Sequence, residues 1–468
     1  MKTETSSRAV LDLTKGAPLP LMMRFCLPIL LGNLMQQFYN MADAAVVGRI
    51  VGTDALAAVG STGAVTFLVI GFVNGLCAGF AIPAAQAFGA GDRAALRRCA
   101  AHILMLGAAF AAILTFVTVA SLDWILDIMA FPDEIRGDSR AYLLVIFSGI
   151  PATVAYDTLA GLLRAMGNSR TPLYVLMVST VCNIALDLAL VGGLRMGVSG
   201  AAAATIASQI LSAVICVVYI FRTYPDLLPR RGDMKFSGRV ALRLILSGLP
   251  MALQYSITAI GSVLIQTAVN GLSTSVIAGV TAANKVQSFV HLPFGTLGVT
   301  VSTFIGQNMG AGRYDRVKAG FRCAMWLAVG YSVFMGVFMY FAGSYVSLIF
   351  IDRADPRIGE LLGIVRIFLR RNCVFYIPLG ILIVCRFALQ GMEYGVTAMF
   401  AGLFEMVARA VVALVFAARW GFDAITYANP AAWVAALFLL VPACLVNFPK
   451  AEKKIRRRTE SGAPSDPA

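Results

Sequence analysis

An all-α, polytopic membrane protein is the fold class this sequence predicts: twelve transmembrane helices in two six-helix lobes, related by a pseudo-two-fold axis along the membrane normal. Three observations lead there. Of the 468 residues, 59% are hydrophobic and only 13% are charged, with a mean hydropathy of +0.79. Soluble domains carry about 25% charged residues. Apolar runs recur along the whole chain, each long enough to cross a bilayer core of about 30 Å. The chain also repeats itself: QAFGAGDRAALRR (86–98) is answered by QNMGAGRYDRVKA (307–319), an offset of 221. ALAAV (55–59) and VIAGV (276–280) keep that offset, and CLP (26–28) and GLP (248–250) come within one position of it. A shift of six spans is even, so both halves enter the membrane in the same orientation.

Composition also excludes several functions. A net charge of +14 would suggest nucleic acid in a soluble protein, but here the positive-inside rule accounts for it, and no nucleic-acid partner is expected. Nine cysteines are scattered, mostly in apolar runs; no CxxC occurs, and there are two histidines, His102 and His291, read as structural. Neither a disulfide framework nor a zinc site follows. The first apolar run is too long for a signal peptide. No nucleophile–base constellation stands out, so the chain is not expected to be an enzyme.

The elements follow in order. Residues 1–20 are a polar lead, expected in the cytoplasm. The first span covers 21–47, and Pro28 should kink it by removing one ladder bond. Asp54 to Asp92 contains no charge and forms the second span, punctuated by Gly60, Gly63, Gly71, Gly75 and Gly79, which let helices approach closely. A third span ends near Ala120, and the acidic connection Ser121–Arg140 leads to a fourth ending near Leu163. RAMGNSRTP (164–172) is a basic turn before the fifth span, Leu173–Gly192, and the alanine-rich sixth, Val198–Phe221. Arg222–Arg243 is the longest internal polar stretch, and residues 222–239 of it are assigned as the cytoplasmic linker between an N-lobe (21–221) and a C-lobe (240–448).

In the second half Leu244–Asn284 is too long for one span and breaks at NGLSTS (270–275), giving spans seven and eight. Span nine ends near Phe350, span ten near Leu389, span eleven covers 395–418, and span twelve lies within Ile425–Phe448. Residues 449–468 are a cytoplasmic tail, basic at PKAEKKIRRR and then expected to be disordered. Twelve spans put both termini on one side, and the clustered Lys and Arg assign that side to the cytoplasm.

Polar groups inside the spans are the candidate functional residues, because they are costly in lipid and usually face a cavity. Asp43 is the lone charge between Arg24 and Arg49, either inside the first span or at its interface paired with Arg49. Asn183 and Asp187 stand four apart on one helix face of span five. Thr205 lies in span six. All four offer hard oxygen ligands suited to sodium or a relayed proton, with interhelical hydrogen bonding as the bland reading of Asn183 and Thr205. Asp157 either faces a substrate cleft or bonds a neighbouring span, and Gln254 in span seven is a further candidate for that cleft. Glu405 and Arg409 are four apart in the better order for a structural ion pair, which Lys285 could join from span eight. Arg366, Arg370 and Arg371 sit awkwardly for an outer span end.

QQFYNMADAAVVGRIVGTDALAAVG (36–60), the twin QxxGAG loops and LLRAMGNSRTPL (162–173) together resemble the multidrug and toxic compound extrusion (MATE) family, over about 20–448. The resemblance implies a twelve-helix antiporter that exports amphipathic, often cationic organic compounds as protons or sodium flow inward. It implies a cation-coupling site at Asp43, Asn183, Asp187 and Thr205, and a helix-1 hinge at Pro28. Some family branches carry a glutamate in span seven where this chain has Ile257, so coupling is expected in the N-lobe alone. No cofactor is implied beyond the coupling ion, H+ or Na+. The expected partners are a small-molecule substrate and membrane lipid, the working unit a monomer, and the location the plasma (cell inner) membrane. A flippase for a lipid-linked saccharide is the alternative; it needs several basic side chains in the cleft, for which Arg366, Arg370 and Arg371 are the candidates.

Overall fold

The computed structural model of the chain describes residues 10–129, 131–351 and 355–460. Residues 1–9 of the polar lead and 461–468 of the expected disordered end lie outside those residues. Among the described residues there is helix and no strand. Ten helices are long and apolar enough to cross a membrane singly, and two bent pairs bring the number to twelve.

In the first half these are α1 (Pro18–Val46), α2 (Thr53–Gly89), α3 (Arg93–Ala120), the pair α4 (Asp133–Ser148) and α5 (Ile150–Ala165), α6 (Arg170–Asp187) and α7 (Gly197–Thr223). In the second they are α8 (Gly238–Asn270), α9 (Thr274–Gly310), α10 (Tyr314–Val346), the pair α11 (Ile358–Cys373) and α12 (Tyr376–Gly391), α13 (Gly395–Val411) and α14 (Ala428–Glu460). Local chemistry sets the ends. The Asp92 carboxylate accepts from the Ala95 amide at 2.8 Å and starts α3. The glycines of the twin GAG loops, Gly91 (φ +71°) and Gly312 (φ +69°), take the left-handed turn that stops α2 and α9.

Three features refine the expected layout. Spans four and ten are bent pairs, by 45° and 50°, because Pro151 and Pro378 begin a fresh helix in each. The acidic connection 121–140 is mostly helical: a short helix covers Leu122–Ile128, and α4 already starts at Asp133. Arg136–Asp127 (2.6 Å) and Arg140–Asp123 (2.7 Å) pair within it. The basic stretch 449–458 is no loose tail but the last turns of α14.

The chain divides into two compact units. One comprises Met23–Ala252 with the chain up to Lys15, and the other comprises Leu253 onward with Gly16–Met22. That division falls within α8, and side chains of the first unit hold the linker 222–239. Arg97 pairs with Asp233 at 3.0 Å, and Arg243 donates to Gln86 at 2.8 Å. The Ser237 amide donates to His102 Nε2 at 2.8 Å. That ring nitrogen is therefore an acceptor, so Nδ1 carries the proton and donates to the Arg98 carbonyl at 2.8 Å. His102 is a clip, in keeping with its structural reading.

Burial works against ionisation of Asp233, but the Arg230 amide and the Arg97 guanidinium outweigh it and hold its carboxyl below the ordinary 3.8. A lowered value means the anchor contributes fully above that ordinary range and is lost only as pH falls through the lowered value. Asp233→Asn should therefore raise protease cleavage within 222–243 by up to roughly tenfold at neutral pH, since cleavage follows the open population. Equal cleavage of both proteins would show that the anchor holds nothing.

Two of the five small residues noted in span two make the close approach. A Cβ on Gly75 would lie 2.6 Å from the Met251 carbonyl, and one on Gly79 2.5 Å from the Ser247 carbonyl. Backbone cannot yield as a side chain can. Gly60 and Gly63 have nothing within 4 Å. Gly79→Ala should cost on the order of 1–3 kcal/mol of stability while Gly63→Ala is neutral, read as thermal midpoints of the purified protein. Equal midpoints would remove this packing argument.

Candidate functional site

In the first unit, α1 ends in a π-helical segment, Val47–Val51, closed by the Gly52 amide donating to the Val47 carbonyl at 3.2 Å. Helix α6 ends the same way in Leu188–Gly193, where the Leu194 amide reaches the Ala189 carbonyl at 2.9 Å. The widened turns follow Asp43 and Asp187 respectively. Such segments are rare and frequently mark functional sites.

Asp43, Asn183 and Asp187 are all buried, Asp187 completely. Asp43 and Asp187 act on each other electrostatically, and both act on Tyr142. Asp43 Oδ1, both oxygens of Asp187 and both amide atoms of Asn183 have no hydrogen-bond partner among the described residues. Buried polar atoms are normally satisfied, so an orphaned oxygen set of this kind suits a cation or a proton. Thr205 is half-buried on α7. Asp157 is half-buried on α5, and its Oδ2 also lacks a partner. Tyr39 lies within electrostatic reach of Asp43, Asp157 and Asp187. Tyr39 and Tyr142 were not singled out from sequence, because a tyrosine in an apolar helix reads as packing.

The second unit carries a different arrangement. Glu405 pairs with Arg409 at 3.5 Å, as the spacing predicts, but it also binds Arg386 of α12 directly. The pair is thus a buried triad with two cations and one anion. Arg409 lies against Gly261, where a Cβ would come within 3.2 Å of its Nη1, and its Nε donates to Asn429 at 3.3 Å. The triad lines a cavity of about 580 Å³ with Tyr255, His291, Phe294 and Trp433. Sequence reading passed over Arg386; its signal was a lone arginine in the apolar run Tyr376–Leu389.

Other candidates lie elsewhere. Lys285 is exposed over the Phe350 ring at 5.9 Å and does not join Glu405. Gln254 does not line the cavity; its side-chain oxygen accepts from Gln390 at 2.8 Å. Arg370 donates to the Tyr340 carbonyl at 3.0 Å, Arg371 pairs with Asp423 at 2.5 Å, and Arg366 is exposed.

Glu405 and Arg409 follow Asn183 and Asp187 by 222 positions each. A π-helical segment, Val412–Phe416, again follows the pair. One half places Asn and Asp before the widened turn, and the other Glu and Arg.

The MatE family profile matches residues 28–189 and 250–415, one block in each half. "Probable multidrug resistance protein YoeA" of Bacillus subtilis (strain 168) is 31% identical over 335 residues, 69% of this chain and 72% of its own length. A "FAD transporter" of Shewanella oneidensis is 23% identical over 82% of this chain and 85% of its own. Among solved structures, the outward-facing conformation of a multidrug resistance MATE family transporter of the MOP superfamily superposes with a TM-score of 0.86. It covers 95% of this chain and 99% of that one at 21% identity, a likeness of fold. Twelve apolar crossings, two halves matched in turn by one profile, and a relative sharing most of its length have one reading: the chain belongs to the MATE family of multi-pass membrane transporters.

Proposed function

We propose that this transporter exports amphipathic organic compounds by alternating access, driven by inward movement of a proton or sodium ion through the first unit. The observation that carries the reading is the set of buried, unpartnered polar atoms of Asp43, Asn183 and Asp187 among the described residues; the reading adds Thr205, half-buried on α7, as a fourth oxygen ligand. A cation between two buried carboxylates removes their repulsion, and a carrier is coupled when that cation binds its two conformations unequally. The same acidic surroundings, Asp157 included, favour a cationic group on the substrate. Both termini and the linker 222–239 belong on the cytoplasmic side of the plasma membrane in this reading, with residues 21–221 and 240–448 as its two lobes. The flippase alternative loses support from Arg370 and Arg371, which are engaged with Tyr340 and Asp423. The test is dye uptake into inverted vesicles under imposed proton or sodium gradients; uptake indifferent to both gradients would sink the proposal.

Pro28 lies inside α1, shortly after the helix passes from one unit to the other between Met22 and Met23. Pro28→Ala restores a ladder bond and should slow export several-fold while leaving dye affinity unchanged. Lost affinity with unchanged turnover would contradict the hinge.

A further inference from the structure

We infer that the cavity of the second unit binds the anionic group of an aromatic amphipath, a phosphate or carboxylate, between Arg386 and Arg409. Three observations carry this. The first is charge: two guanidinium groups share the carboxylate of Glu405, and among the described residues lining the cavity no second carboxylate appears. The second is unmet hydrogen bonding. Arg386 and Arg409 are each 5% exposed, yet among the described residues Arg386 Nε and Arg409 Nη1 have no partner, and neither has His291 Nε2. A buried cation is normally paired and its donors filled, because stranding them costs more than the pairing returns. The third is shape: Tyr255, Phe294 and Trp433 wall the same cavity, so a flat apolar body fits beside the donors. A phosphate or carboxylate supplies the charged acceptor that unfilled guanidinium donors pair with most strongly.

The repeat gives the arrangement its meaning. Glu405 and Arg409, four apart and just before a π-helical segment, have in the second half the setting that Asn183 and Asp187 have in the first. One unit therefore offers unfilled acceptors and the other unfilled donors. This inference rests on the transporter reading and narrows its substrate class: the organic cargo carries an acidic group, whatever cation it also bears.

The test compares two probes with one aromatic body, riboflavin and its 5′-phosphate, by equilibrium dialysis against the full-length protein in neutral phosphatidylcholine nanodiscs. The phosphate form should bind roughly tenfold tighter or better. Arg386→Gln and Arg409→Gln should each remove that preference while riboflavin still binds, and Arg409→Lys should keep part of it. The wild-type comparison needs no variant to fold. Equal affinities, or a preference that survives both Arg→Gln changes, would overturn the assignment. If phosphatidylglycerol nanodiscs abolish binding of the phosphate form, the anion accepted here is a lipid headgroup. If binding persists, it belongs to a soluble amphipath; both results keep the anion site. Gradient-driven uptake in the same preparation tests the transporter reading separately, so uptake without phosphate preference defeats this inference alone.

Discussion

Asp43→Asn and Asp187→Asn are each expected to reduce gradient-driven export to the background of empty vesicles, with expression and folding intact. The substitution keeps volume and one acceptor but removes the charge that attracts the ion. Both side chains are buried and interact electrostatically, so each change also alters the field on the other. Shifting a two-state equilibrium from one side to the other takes about 5.5 kcal/mol of differential binding, and an amide offers a small cation far less than a carboxylate does. Substrate exchange with equal concentrations on both sides should survive, because it needs alternation and not coupling. Reconstituted protein assayed for driven export and for exchange separates the two. Wild-type driven export in both variants, with failure only when Glu405 or Arg386 is changed, would move coupling to the second unit.

Glu405→Gln should have the opposite profile: a large loss of stability whatever the transport rate. The carboxylate binds Arg386 and pairs with Arg409 at 3.5 Å, and all three side chains are buried. Breaking a buried ion pair by removing one partner costs about 3–5 kcal/mol, because the remaining charge has neither water nor counter-ion. Here two cations are left facing each other. The readout is thermal denaturation in detergent, with thiol labelling of Cys385, which is 3% exposed beside Arg386. Adding Arg386→Met to Glu405→Gln should recover part of the loss, since it removes a stranded charge. A double variant less stable than the single one would show that Arg386 is held by something else.

Much of this molecule could be read from its residues, and what could not has a physical reason. Uncharged runs located the crossings because charged side chains are costly in lipid, and the break at NGLSTS falls between α8 and α9 as expected. The bends in spans four and ten escaped because Pro151 and Pro378 sit at the start of a new helix, where proline is compatible with an unbroken apolar pattern. The Glu405–Arg409 pair was legible from its spacing. Arg386 was not, because the contact is 19 residues away on another helix and no periodicity reports such a meeting. The π-helical turns after Asp43, Asp187 and Arg409 leave no mark in composition at all.

The triad also has a consequence for how the chain is made. Arg386 belongs to α12 and its counter-charge to α13, 19 residues later. At about 5–20 residues per second, synthesis delivers Glu405 roughly one to four seconds after Arg386. Through that interval α12 holds an arginine whose insertion alone carries a cost of about 2.5–3.5 kcal/mol. Helix α13 brings Glu405 and Arg409 together, already neutral as a pair. The last segments of the second half therefore have reason to leave the insertion machinery as a group rather than singly, and a ribosome stalled between them would leave α12 the helix most apt to slip back out.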